Sequence, residues 1–157
     1  MTKEEQYRQF LADITLLITD EHEEISVLAN VAAAIKETFH FFWVGFYLVR
    51  PKDATTRHLI LGPFQGSPAC YRIGYGKGVC GTAWKERQTQ VVPDVELFPG
   101  HIACSSLSRS EIVVPIFSKA GEVVAVLDID SDTLSTFDTT DQRHLEQLCH
   151  IITQAIY

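Results

Sequence analysis

Apolar residues recur at helical spacing between Glu4 and Thr19, at Tyr7, Phe10, Leu11, Ile14, Leu17 and Ile18, which predicts an amphipathic helix. A second helix is predicted from about Glu23 to Glu37, with Ile25, Leu28, Ala29, Ala32 and Ile35 on one stripe. The period then drops to two. FFWVGFYLVR, from Phe41 to Arg50, is dense in aromatic and β-branched residues and predicts a strand. Trp43, Gly45 and Tyr47 fall on one face, and Val44, Phe46 and Leu48 on the other. Gly45, between two aromatics, leaves a gap on its face for something else to fill. After a polar turn over Pro51 to Thr56, HLILGPF predicts the return strand of a hairpin and so an antiparallel sheet.

Gln65 to Gly81 is the least regular stretch, with five glycines and one proline. Its GKGVCG formally matches a dinucleotide fingerprint, but no buried parallel strand precedes it, and Lys77 is followed by Gly78 rather than the Ser or Thr of a P-loop. Two readings remain. In one, the glycines only permit a tight turn into a short helix, Gly81 to Arg87. Alternatively, Cys80 sits at that helix N-terminus, where the dipole favours a thiolate.

QVVPDV is a short strand placed at an edge by Pro93, with Asp94 capping the next turn. LFPGHIACSSLSRS is a loop carrying His101 and Cys104. EIVVPIFSKAGEVVAVLDIDS is a second hairpin turning at Lys119, Ala120 and Gly121, and its return strand points Asp128 and Asp130 to the side opposite Leu127 and Ile129. The last segment predicts a helix with a capping box of Thr139 and Gln142 and a buried stripe of Leu145, Leu148, Cys149, Ile152 and Ile156. Helices, antiparallel strands and a closing helix make an α+β sheet domain faced by helices, one domain over residues 1–157.

A formal net charge of −7, without any basic run, argues against nucleic acid as a partner. No run approaches the roughly 20 apolar residues of a membrane helix. MTKEEQYRQF lacks the basic-then-apolar layout of a secretory signal, so a cytoplasmic location is expected. In that compartment the four cysteines are not permanent staples.

Three of them, Cys70, Cys80 and Cys104, lie in loop-type sequence, and three readings of them stay open. In the first they are inert. In the second they bind zinc together with His101, although nine residues separate Cys70 from Cys80, where structural sites use close pairs. In the third they cycle through a sulfenic acid and a disulfide, with Arg72, Lys77, His101 and Arg109 close enough in sequence to lower a thiol pKa.

GPFQG, ACYRI, GKGVCGTA, PDV, GHIAC, SEIVVPI and VLDIDS occur in this order. The set closely resembles the free methionine-(R)-sulfoxide reductases, a family built on the GAF domain, from about Trp43 to Asp132. The resemblance implies a GAF-like α+β fold, an antiparallel sheet of about six strands flanked by helices, and a homodimer. It implies reduction of free methionine (R)-sulfoxide, with no bound cofactor or metal and with thioredoxin, itself served by NADPH and thioredoxin reductase, as external reductant. Carried over motif by motif, Cys104 is the nucleophile, Cys80 the resolving thiol and Cys70 a further disulfide partner. Glu111, Asp128 and Asp130 are the pocket carboxylates. Trp43, Tyr47, Gln65, Gly78 and Val79 join them in holding the substrate. Ser105 follows Cys104 where the family often has Asp.

This chemistry needs those residue types. A sulfoxide sulfur is a poor electrophile until its oxygen is protonated, so a thiolate and a protonated carboxyl must face it together. Clustered carboxylates raise one another's pKa, so one can hold a proton near neutral pH while another pairs with the substrate ammonium. Closure of the Cys70–Cys80 and His101–Cys104 loops over the pocket would exclude polypeptides. The competing expectation is a GAF module that senses a small molecule without turnover.

Overall fold

In a computed structural model that describes all residues 1–157, the chain begins with helices α1 (Lys3–Ile18) and α2 (Glu24–Phe39). Strands β1 (Trp43–Pro51), β2 (Arg57–Gln65) and β3 (Arg72–Ile73) follow, then helix α3 (Gly78–Glu86), strands β4 (Gln90–Val92), β5 (Ser110–Phe117) and β6 (Val123–Ser131), and the closing helix α4 (Thr139–Ile156). The six strands form one sheet in the order β3-β2-β1-β6-β5-β4, antiparallel throughout. The two hairpins of the sequence are β1–β2 and β5–β6, and β4 lies at an edge, as Pro93 requires.

Period-two alternation divides the sheet residues between two cores. Val44, Phe46, Leu48, Leu127 and Ile129 pack against α1, α2 and α4, whereas Trp43, Tyr47, Val49, Val113 and Val126 face α3 and its flanking loops. The helical layer is the larger core, and it leaves the opposite face free to be shaped by loops. On α2 the buried stripe is Val27, Leu28, Val31, Ala32 and Ile35; Ile25 and Ala29 are exposed, because the helix turns its β-branched valines to the sheet. Along α1, Leu17 is exposed while Tyr7, Phe10, Ile14 and Ile18 are buried.

Two further local expectations are corrected. The α4 capping box is Asp138 with Asp141, not Thr139 with Gln142. The Asp138 carboxylate accepts from the backbone N–H of Thr140 and Asp141, and that of Asp141 accepts from the N–H of Asp138. Asp141 is also bonded by Tyr7 Oη at 2.6 Å and by Lys3 Nζ at 2.7 Å, so the same carboxylate ties α1 to α4. The space over Gly45 is not vacant: a Cβ there would stand 2.4 Å from Trp43 Cη2 and 2.5 Å from Phe64 Cβ. The chain's own aromatics fill it.

Candidate active site

The register of three strands assembles the carboxylates. Trp43 pairs with Asp130 and Gly45 with Asp128 across β1–β6, while Glu111 pairs with Asp130 across β5–β6. Directly opposed residues share a face. Trp43, Asp128, Asp130 and Glu111 therefore converge on the α3 side of the sheet, where they line one cavity.

Helix α3 covers this row. Gly76 and Gly78 take left-handed φ angles of +73° and +59°, which favour glycine, and a Cβ on Gly81 would stand 2.4 Å from the Gly74 carbonyl oxygen. The glycine pattern thus makes the tight turn and close approach that seat α3, and Gly78, Val79 and Cys80 line the cavity from above. Cys80 Sγ, a Glu111 oxygen and an Asp128 oxygen lie within 4.8 Å of one another, all buried. Of the two readings of this turn, the thiolate at Cys80 is the one disfavoured: burial, then Asp128, Glu111 and Asp130, push the thiol well above its ordinary pKa. Among three acids, the α3 dipole is outweighed.

Burial also raises all three carboxyls. Glu111 and Asp130 go well above the usual range, with Asp128 as the next cause for each. For Asp128, burial is opposed by hydrogen bonding from Glu111 and Cys80 and by His101, which makes it the best placed of the three to ionise. Asp128 Oδ1 is buried without a hydrogen-bond partner. His101 Nε2 stands 3.8 Å from Glu111 Oε1, and burial lowers its pKa, so the imidazole is neutral at pH 7.

The mouth is made by two loops. Trp43 Nε1 donates to the Ser67 carbonyl at 2.9 Å, and Tyr47 Oη donates to the Cys70 carbonyl at 2.9 Å, so two aromatic residues of β1 anchor the loop that carries Cys70. The facing loop brings His101, Ile102, Cys104 and Ser105 over the cavity. A disulfide between Cys70 and Cys104 joins the loops, with a Cα–Cα distance of 5.6 Å. Cys80 and Cys149 are free and buried. In this structure Cys104 is thus paired with Cys70 rather than with the expected Cys80. The same bond removes two thiols from the zinc set of Cys70, Cys80, His101 and Cys104, which does not assemble.

Of the residues singled out in the sequence, Trp43, Tyr47, Gly78, Val79, Cys80, Cys104, Glu111, Asp128 and Asp130 line the cavity, and Cys70 is bonded at its mouth. Gln65 does not: it is exposed at the end of β2. Arg72 and Arg109 are exposed and off the cavity, while Lys77 and His101 line it. Sequence reasoning missed Phe42, Pro68, Ile73 and Ser108, which enter from positions with no chemical signature of their own. Ser105 lines the cavity, and its Oγ accepts from the Leu107 N–H at 3.3 Å. No helix is long and apolar enough to cross a membrane.

Comparison with known proteins identifies the family. The GAF domain family matches residues 21–156. GAF domain-containing protein A of Dictyostelium discoideum is 56% identical over 151 residues, covering 96% of this chain and 92% of that protein. Free methionine-R-sulfoxide reductase of Escherichia coli is 44% identical over 149 residues, covering 94% and 87%. The crystal structure of free methionine-R-sulfoxide reductase from Neisseria meningitidis, in complex with its substrate, superposes with a TM-score of 0.93 at 50% identity, covering 99% of this chain and 90% of that one. A sheet that gathers three carboxylates under a cysteine-bearing rim, with these identities along nearly the whole chain, places the protein in the GAF domain family and, within it, among the free methionine-R-sulfoxide reductases.

Proposed function

We propose that the protein reduces free L-methionine (R)-sulfoxide to L-methionine, with Cys104 as nucleophile and Cys70 as the thiol that resolves it. The observation that carries this reading is the Cys70–Cys104 bond at the rim of a cavity floored by Glu111, Asp128 and Asp130. Cys104 is exposed and Cys70 half-buried, so their bond is open to an external dithiol, whereas Cys80 is enclosed.

In the reaction, Cys104 sulfur attacks the sulfoxide sulfur while a carboxyl of the cluster passes its proton to the sulfoxide oxygen. Glu111 and Asp130 are the groups held most strongly protonated by burial. Asp128, the acid best placed to ionise, pairs with the substrate ammonium, and Trp43 supplies apolar surface to the S-methyl group. Methionine departs and leaves oxygen on Cys104 as a sulfenic acid. Cys70 thiolate then attacks that sulfur, the oxygen leaves as water, and the disulfide forms. Thioredoxin, recharged by NADPH and thioredoxin reductase, takes the oxidising equivalents and restores both thiols. The loops that carry Cys70 and Cys104 frame the mouth of the cavity and favour a free amino acid over a polypeptide chain. A homodimer in the cytoplasm completes this reading.

A coupled assay tests it. NADPH consumption with thioredoxin, thioredoxin reductase and free methionine (R)-sulfoxide is expected for wild type and absent for Cys104→Ser. Equal activity on peptide-bound methionine sulfoxide contradicts the enclosure, and no consumption by either protein leaves a ligand-sensing GAF module.

A further inference from the structure

The floor of the cavity holds a thiol, that of Cys80, which the reduction does not use, beside two of the carboxyls that it does. Cys80 Sγ and one oxygen each of Glu111 and Asp128 lie within 4.8 Å of one another, and all three residues are buried. Asp128, only 6% exposed, has its Oδ1 without any hydrogen-bond partner. A buried acceptor left unpaired calls for a cation or a donor. From the facing loop, His101 Nε2 approaches to 3.8 Å from Glu111 Oε1, which brings an imidazole to the same group. One thiol, two carboxylates and an imidazole are the donor types of a tetrahedral zinc site, and the sulfur disfavours magnesium and calcium, which take oxygen ligands.

We propose that Cys80, Glu111 and Asp128 bind one thiophilic divalent cation of the zinc type, with His101 within reach of the fourth position, and that the bound ion switches the cavity off. The inhibition rests on the reductase reading; the binding does not. In this buried site a dication needs two anionic ligands for neutrality, so Cys80 and one carboxyl release their protons to solvent when it binds. No electron moves, and affinity rises with pH. The ion occupies the carboxylates that the substrate ammonium and the sulfoxide oxygen require, so binding of metal and of substrate exclude one another. Chelation of the ion reopens the site.

The test uses Cys70→Ser/Cys104→Ser protein, which keeps the donor set and loses both thiols of the rim. Titration with Co2+ is expected to give one bound ion per chain and a near-ultraviolet sulfur-to-cobalt charge-transfer band, displaced by Zn2+. Adding Cys80→Ser abolishes the band. Adding Asp128→Asn instead weakens binding by at least about tenfold. Thermal melting shows which variants are folded, and either one alone suffices for the comparison. No band, or a band of full strength in the folded Cys80→Ser variant, overturns the proposal. In wild type, Zn2+ is expected to stop methionine formation reversibly, with recovery on adding EDTA. Wild type that is inactive without metal, while cobalt still binds as described, overturns the reductase reading and leaves the metal site standing. Activity that zinc leaves unchanged at saturating occupancy overturns the switch.

Discussion

Cys104 is bonded to Cys70 across 34 residues of chain, while Cys80, on helix α3 and lining the same cavity, keeps a free, buried thiol. The two cysteines of the bond sit on opposing loops, so closing and opening it changes the covering of the cavity as well as the redox state of the protein.

The cysteine variants should therefore separate. Cys104→Ser lowers turnover by at least about a thousandfold, since it removes the group that attacks sulfur. Cys70→Ser still forms the first methionine but builds no stable disulfide, so multiple turnover fails. Cys80→Ser retains the Cys70–Cys104 bond after one turnover. Methionine yield per chain and free-thiol counts before and after exposure to substrate check all three.

The carboxylate cluster sets the direction of a pH dependence. Burial raises the folded-state pKa of Glu111, Asp128 and Asp130. Below the unfolded carboxyl range, near pH 4, both states hold these protons. As pH rises past that range the unfolded chain releases them first, so stability falls by about 1.4 kcal/mol per pH unit for each proton the native state retains. Glu111→Gln removes one such group. Its melting temperature, relative to wild type, should rise as the pH climbs above the unfolded carboxyl range; parallel curves for the two proteins contradict the assignment.

Asp141 is buried and bonded by Tyr7, Lys3 and the backbone of Asp138. Tyr7→Phe deletes the shortest of these contacts while keeping the ring, at an expected cost of about 1–3 kcal/mol. The denaturant midpoint should drop with the m-value unchanged, and activity of the folded fraction should not alter.

Gly45 pairs with Asp128 in the β1–β6 register and carries the Trp43 ring over its Cα. Gly45→Ala pushes Trp43 off its seat, with a cost of about 1–3 kcal/mol for overpacking. Because Trp43 also bonds the Ser67 carbonyl, the rim moves with it. KM for the sulfoxide should rise by a larger factor than kcat falls, which steady-state kinetics on the variant will show.

Much of this architecture was legible in the chain. The alternation of Trp43 and Tyr47 against Val44 and Phe46, and of Asp128 and Asp130 against Leu127 and Ile129, assigns residues to the two faces of the sheet, because a strand has only two. Seven short motifs pointed to the family. What local pattern could not supply was distance between loops and depth of burial. Nothing in the spacing distinguishes Cys70 from Cys80 as the partner of Cys104, since loop geometry decides which Cα comes to 5.6 Å. The helix that the pattern places over Gly81 to Arg87 starts at Gly78, within a turn, but the pattern could not choose between thiol and thiolate at Cys80, because the three acids that outweigh the dipole arrive from β5 and β6. Gln65 was drawn in by its motif and ends outside the cavity, on the exposed end of β2. The α4 capping box lay one residue upstream of its reading, because Asp138 competes with Thr139 for the cap and its carboxylate satisfies two N–H groups at once.

The most direct test is a single turnover of fully reduced protein on racemic free methionine sulfoxide without added reductant, followed by proteolytic mapping of the disulfide. The account predicts about one methionine per chain, loss of the R epimer only, and a bridge between the peptides carrying Cys70 and Cys104, with Cys80 and Cys149 still alkylatable. No methionine with every thiol retained, or a bridge that includes Cys80, contradicts it.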